Sequence, residues 1–345
     1  MAAKKRPRRR GEVVEALASD ADGRVGPSSA GSCGHLERTE SVADAARGDQ
    51  RCGFVALIGA PNVGKSTLIN ALVGTKVAIV SHKAQTTRSL LRGIAIVGRS
   101  QLILVDTPGV FAPKRRLDRA MVASAWAGAH EADIVALILD AKRGIDEETT
   151  SVLDKLVEIR RPKILVVNKI DAVDKPLLLR IVDRANQCTS FAATFMVSAL
   201  KGDGVADVKQ WMARHVPPGP WHYPDDQITD APLRHLAAEI TRENLYSQLH
   251  QELPYRSTVE TDQWQERPDG SVRIEQTIYV ERESQRKIVL GKAGQTIKAI
   301  GAQARREIAE IVEAPVHLFL FVKVDESWED DRQRYRAMGL EFPKD

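Results

Sequence analysis

The sequence predicts an α/β chain, a parallel sheet with crossover helices, followed by a smaller α+β domain. Three observations carry that expectation. From Cys52 onward, short β-branched runs alternate with helix-length amphipathic stretches, the pattern of strands covered on both faces by the helices that connect them. A GxxxxGK[ST] segment follows the first of those runs directly. A proline-rich stretch, VPPGPWHYP from Val216 to Pro224, then breaks the alternation, and a different order of elements begins.

Size and composition agree with this division without choosing a function. A chain of 345 residues has room for two cores, and 43% hydrophobic with 28% charged residues is ordinary for a globular protein. The expected organisation is a polar, basic and disordered extension over 1–50, an α/β domain over 51–216, a linker over 217–230 and a second domain over 231–345. The apolar run around Ile134 to Leu139 is strand-sized, well short of the ~18 residues of a membrane-spanning helix. Cys33, Cys52 and Cys188 are odd in number and widely spaced, which argues against a disulfide framework or a zinc site and for a reducing, cytoplasmic setting. The formal charge is +4, but the first ten residues carry six basic groups, leaving −2 for the rest. Any nucleic-acid surface must therefore be local.

The first element is a strand from Phe54 to Ile58. It runs into Gly59, Ala60, Pro61, Asn62, Val63, Gly64, Lys65 and Ser66, and a helical segment starts at Thr67. Glycines at those spacings let backbone N–H groups curl round a phosphate, and the helix N-terminus adds a dipole that favours anions. Lys65 is expected on the β- and γ-phosphates and Ser66 on Mg²⁺. The fold class is thus a P-loop NTPase. A second strand, Leu102 to Val105, ends in Asp106, Thr107, Pro108 and Gly109. Asp106 is expected to hold Mg²⁺ through water, and the Gly109 N–H to sense the γ-phosphate.

The base is read from the fourth strand, Ile164 to Val167, after that at Ile134 to Leu139. Asn168, Lys169, Ile170 and Asp171 follow it. A carboxylate accepts hydrogen bonds from guanine N1–H and the 2-amino group; adenine would leave it without donors, a mismatch of the kind that supports discrimination of about 10⁴–10⁵. Lys169 is expected along the base, and Asn168 as a tether to the phosphate loop. The strand Phe195 to Val197 ends in Ser198 and Ala199, whose backbone offers an N–H to guanine O6. The substrate so predicted is GTP.

With these motifs in this order, the chain resembles the translation-factor-like GTPases, and in particular the Era family that assists assembly of the small ribosomal subunit. The family-specific part includes Lys83, Ala84, Gln85, Thr86, Thr87 and Arg88, which is similar to the family's first switch segment. The resemblance implies that Thr86 or Thr87 closes over Mg²⁺ in the GTP state; spacing does not choose between them. Val110 stands where many GTPases carry a water-orienting glutamine. The resemblance then implies slow intrinsic hydrolysis, helped by K⁺ held at Asn62.

The second domain reads as a helix from Pro232 to Leu249, stopped before Pro254, then strands from Ser257 to Thr261 and Val272 to Glu281. A short helix from Gln285 to Leu290, a GxxG turn of Gly291, Lys292, Ala293 and Gly294, a helix from Gln295 to Ile311 and a strand from Val316 to Val324 complete it. This order resembles a type II KH domain, whose tight turn clamps about four nucleotides of single-stranded RNA. Arg282, Arg286, Lys287, Lys292, Lys298, Arg305 and Arg306 surround the turn, opposed over that stretch by Glu281 and Glu283, which suits phosphate contacts. The resemblance further implies binding near the 3′ end of small-subunit ribosomal RNA. A monomer in solution is expected, and a basic tail or patch that can adhere to anionic lipid leaves contact with the cytoplasmic face of the inner membrane open. The competing expectation is a nucleotide hydrolase whose second domain serves only to oligomerise it.

Overall fold

The computed structural model describes residues 50–81, 83, 86–249 and 253–343. The predicted extension lies outside them apart from Gln50, as do Cys33, Ala84 and Gln85.

Six strands build the larger sheet. They are β1 (Arg51–Ile58), β2 (Leu91–Val97), β3 (Ser100–Asp106), β4 (Ile134–Asp140), β5 (Lys163–Asn168) and β6 (Ala193–Met196), in the spatial order β2-β3-β1-β4-β5-β6. All neighbours run parallel except β2, which pairs antiparallel with β3. Four helices connect them and a fifth follows β6: α1 (Lys65–Val73), α2 (Arg116–Glu131), α3 (Glu147–Leu156), α4 (Lys175–Cys188) and, after β6, α5 (Val205–His215).

The strand sequences explain the layering. In β1, Val55 and Leu57 face one core together with Leu68, Ile69 and Leu72 of α1 and Val208 and Met212 of α5. Ala56 and Ile58 face the other, with Ala125 of α2, Val152 of α3 and Ile181 of α4. A period of two on a doubly covered strand makes both faces apolar, and each buried Val, Leu, Ile or Met side chain contributes roughly 1.5–3 kcal/mol. Because the parallel strands share a direction, their C-terminal ends line up, and every motif predicted at a strand's end arrives on one edge of the sheet.

β2 is absent from the sequence reading. Arg92 and Gly93 interrupt its apolar run, and it forms a hairpin with β3 instead of taking part in the strand–helix alternation. Gly93 is required there: a Cβ would stand 2.9 Å from Val73 Cγ2 and 3.0 Å from Ile69 Cγ2. The predicted linker over 217–230 is bound along the sheet. Gln101 donates to the Tyr223 carbonyl and accepts from the His222 and Tyr223 N–H groups, and Ile94 N donates to Ile228 O. It thereby covers the open edge of β2.

The second sheet has the order β7 (Ser257–Glu266), β8 (Val272–Val280), β9 (Val316–Val324), with β7/β8 antiparallel and β8/β9 parallel. Helices α6 (Leu233–Gln248), α7 (Glu283–Leu290) and α8 (Gln295–Val312) complete the α-β-β-α-α-β order of a type II KH fold. Val272, Ile274, Gln276, Ile278 and Val280 are all buried, as their alternation predicts. A short helix that the sequence reading lacks, α9 (Arg332–Ala337), follows. Its Tyr335, with Trp328 and Leu340, packs on Leu117, Ala120 and Met121 of α2, joining the two sheets in one compact unit. No helix among the described residues is long and apolar enough to cross a membrane.

Candidate functional site

The C-terminal edge of the large sheet holds a cavity of about 460 Å³ lined by Asn62, Lys65, Ser66, Thr87, Gly109, Asn168, Lys169, Asp171 and Ala199, among others. Each motif predicted at a strand's end reaches it.

The phosphate loop is bent at Gly59 (φ 159°), Asn62 (φ 64°) and Gly64 (φ 97°). A side chain at Gly64 would occupy the place of the Asn168 amide, 2.3 Å away, and one at Gly59 would meet Ile138 O at 2.4 Å. α1 starts at Lys65 with no side-chain cap, so its first-turn N–H groups remain for an anion. Lys65 is buried, and its Nζ donates to Gly59 O at 3.1 Å and Ala60 O at 3.0 Å. Burial lowers its pKa to about 8, with Asp106 acting in the opposite sense. The loop thus places a cation at the floor of the cavity without a partner of full opposite charge in hydrogen-bond contact, as a phosphate site requires.

Ser66, Thr87 and Asp106 converge beside it. Ser66 Oγ donates to Asp106 Oδ2 at 2.8 Å and lies 3.0 Å from Thr87 Oγ1, which donates to the same carboxylate oxygen at 3.1 Å. The other oxygen, Oδ1, is buried with no hydrogen-bond partner, and burial raises the Asp106 carboxyl. A cluster of hard oxygens around an incompletely satisfied carboxylate fits a Mg²⁺ ion. No group of three or more His, Cys, Asp or Glu among the described residues could hold a metal by itself, so a cation here needs the hydroxyls and a phosphate. Of the two candidate threonines, Thr87 is at this cluster, whereas the Thr86 hydroxyl turns back to Lys83 O at 2.7 Å. Gly109 approaches the phosphate loop so closely that a Cβ would stand 2.9 Å from Pro61 Cα. Thr107 is buried and donates to Leu57 O at 2.6 Å. Val110 is buried in the core, and its N–H donates to Gly59 O at 3.0 Å.

At the other end, Asn168 donates from Nδ2 to Val63 O at 2.9 Å, and its Oδ1 accepts from the N–H groups of Lys169 (2.8 Å) and Ala199 (3.0 Å). One amide therefore ties the phosphate loop to both base-reading segments. Lys169 stretches across the mouth to Asn62 O at 2.6 Å and Asp140 Oδ2 at 2.7 Å. Asp140, at the end of β4, was not singled out by sequence because an isolated aspartate carries no motif. Asp171 is exposed rather than buried, so burial that would make an unsatisfied carboxylate costly would have to come from a base lying over it. A hydrogen bond from Ser198 holds its carboxyl below the ordinary range, with Lys201 Nζ 3.8 Å away. Ile79, Val80 and Leu200 add an apolar rim that the motifs do not mark.

The GxxG turn lies elsewhere, between α7 and α8. Gly291 (φ 70°, ψ 178°) and Gly294 (φ 75°, ψ 15°) frame Ala293, itself left-handed at φ 51°. Lys287, Lys292 and Lys298 are exposed around it. Arg286 is less free than the sequence suggests, since it pairs with Glu283 at 3.0 Å and donates to Val322 O at 3.3 Å.

Comparisons with known proteins agree with both halves. Residues 54–169 match the 50S ribosome-binding GTPase family and residues 252–329 the KH domain family. The chain is 68% identical over 301 residues to a GTPase Era of Bradyrhizobium sp. (strain ORS 278), covering 87% of this chain and 98% of that one. It is similar, with a TM-score of 0.80 and 35% identity over 84% of this chain and 99% of the other, to the crystal structure of Era in complex with MgGDPNP and nucleotides 1506–1542 of 16S ribosomal RNA. A variant of Aquifex aeolicus Era bound to GDP·AlF4⁻ matches with the same TM-score and 36% identity, again over 84% and 99%.

Proposed function

The chain belongs to the Era family of GTPases, and from that premise we propose a GTP-driven switch that binds small-subunit ribosomal RNA near its 3′ end and assists assembly of the 30S subunit. The observation that carries the proposal is the union, in one compact unit, of a guanine-type nucleotide cavity and an exposed basic GxxG turn.

In this reading the first-turn N–H groups of α1 and Lys65 take the phosphates, Asp171 and the Ala199 N–H take guanine, and Asn168 keeps the two ends in register. Ser66 and Thr87 would hold Mg²⁺, with Asp106 acting through water; the ion supplies charge neutralisation as the γ-phosphate leaves. Val110 is buried in the core and has no polar group with which to orient water, so the chain's own residues provide positioning and electrostatics but no side-chain base at that point. Asn62, left-handed on the cavity wall, suits a monovalent cation there. Replacing Na⁺ by K⁺ is then expected to raise turnover, and equal rates in both salts remove that role for Asn62.

Lys287, Lys292 and Lys298, with Arg286, would contact RNA phosphates while the backbone from Gly291 to Gly294 clamps the strand. The protein would act as a cytoplasmic monomer, its basic segments able to touch the inner membrane. RNA crosslinking with sequencing in the GTP- and GDP-bound forms tests partner and switch together. Sites concentrated near the 3′ end of 16S RNA and stronger with GTP are expected; diffuse sites equal in both forms favour the hydrolase with an oligomerising second domain.

A further inference from the structure

The segment that delivers Thr87 to the cavity is held from the RNA-binding half. Lys83 Nζ donates to the carbonyls of Tyr246 and Leu249 at the C-terminal end of α6, where the helix dipole favours a cation. Arg88 is buried and donates to Ser257 O at 2.7 Å, Tyr255 O at 3.1 Å and Pro254 O at 3.2 Å. Between these two anchors, Arg242 of α6 donates from Nη2 to Thr86 O at 2.5 Å.

Arg242 is itself buried and held on several sides. It is 1% exposed; its Nε donates to Glu239 Oε1 at 2.9 Å, Nη2 also pairs with Glu239, and Nη1 donates to Tyr246 Oη at 3.2 Å. Burial disfavours both charges, yet each outweighs that cost for the other: Glu239 is held below and Arg242 above its ordinary pKa. A buried ion pair is a weak device for stability because desolvation offsets most of the attraction. Its planar donors do define a position for any carbonyl they hold, and the carbonyl held here belongs to the residue directly before Thr87.

We propose that Arg242 is a positioning residue for GTP hydrolysis: from the RNA-binding half it fixes the Thr86 carbonyl, and through it the Thr87 hydroxyl against Ser66 and Asp106. The inference rests on the GTPase reading of the cavity. Among the described residues, Arg242 donates to Thr86, Glu239 and Tyr246 and to no group of the phosphate loop or the guanine end, so it sets the reaction without setting affinity for the diphosphate product. A rearrangement of the RNA-binding half that moves α6 thereby reaches the reacting phosphate by one hydrogen bond and one residue of chain.

The test uses the full chain with Arg242→Lys and Arg242→Gln, reading kcat and KM for GTP, the Mg²⁺ concentration for half-maximal rate, and GDP affinity. Expected are a kcat lowered on the order of tenfold in Arg242→Gln, partial rescue in Arg242→Lys, a raised Mg²⁺ requirement, and GDP affinity within about twofold of the parent. An unchanged kcat in folded variants overturns the proposal, as does a parallel loss of kcat and GDP affinity, which marks a structural role. Should Arg242→Gln not fold, Glu239→Gln keeps the volume while loosening the guanidinium, and the same split at smaller size is expected. GTP preference over ATP in the parent is read separately, so failure of the cavity's assignment and failure of Arg242's role are distinguishable.

Discussion

Two loops in this molecule bend on glycines and lead into a helix N-terminus, and they differ in how they are held. The phosphate loop is enclosed: Asn168 grips Val63 O, Lys65 grips Gly59 O and Ala60 O, and Gly109 closes on Pro61. The GxxG turn is open: at Gly294 a side chain would meet nothing nearer than Lys298 Cε at 3.9 Å, and its lysines are exposed. A loop enclosed by side chains from other strands suits a small ligand of fixed shape. An open turn suits a polymer that must enter from the side and continue beyond the site.

If that contrast is right, the enclosed loop is the less tolerant. Gly64→Ala puts a Cβ onto the Asn168 amide at a left-handed φ, adding strain to a broken tether. GTP affinity is expected to fall about 100-fold or more by calorimetry, with RNA binding retained. In the open turn the two glycines separate. Gly291 has a backbone conformation reserved for glycine, and a Cβ there would stand 2.1 Å from Thr296 Oγ1, whereas Gly294 is merely left-handed with space around it. Fluorescence anisotropy with single-stranded RNA is expected to report a loss on the order of 100-fold for Gly291→Asp and about tenfold for Gly294→Asp, with GTP binding unchanged in both. Equal losses would mean that charge rather than backbone shape governs the turn.

The smallest effect sharpens the contrast by protons. Burial holds Lys65 to about 8, while a bound phosphate favours its charged form. The nucleotide-bound state therefore holds more protons than the free state above that pH. GTP affinity is expected to be flat below about pH 7 and to weaken as pH rises through 8. Calorimetry in buffers of different ionisation heat should find a fraction of a proton taken up near pH 8 and none near pH 6.

The same contrast explains what was legible in the sequence. Phosphate, Mg²⁺ and guanine each demand particular residues at a fixed distance from a strand's end, so Lys65, Asp106 and Asp171 announce themselves by spacing. Thr87 was legible as one of a pair and needed packing to separate it from Thr86, since both lie on the same segment and only one hydroxyl turns toward Ser66. Asp140, which orients Lys169, carries no local pattern. Arg242 lies 156 residues from the carbonyl it holds, and on sequence alone it is one more charge on an amphipathic helix. β2 escaped notice because Gly93, which interrupts its apolar run, answers to the side chains of Ile69 and Val73 beneath it rather than to strand propensity.

In the proposed function one carboxylate, Asp171, selects the base while the bent loop holds the phosphates. Equilibrium titration of the full chain with GTP and ATP in Mg²⁺ tests it most directly. A preference for GTP on the order of 10⁴ is expected. Equal affinities, or no binding of either nucleotide, would contradict it.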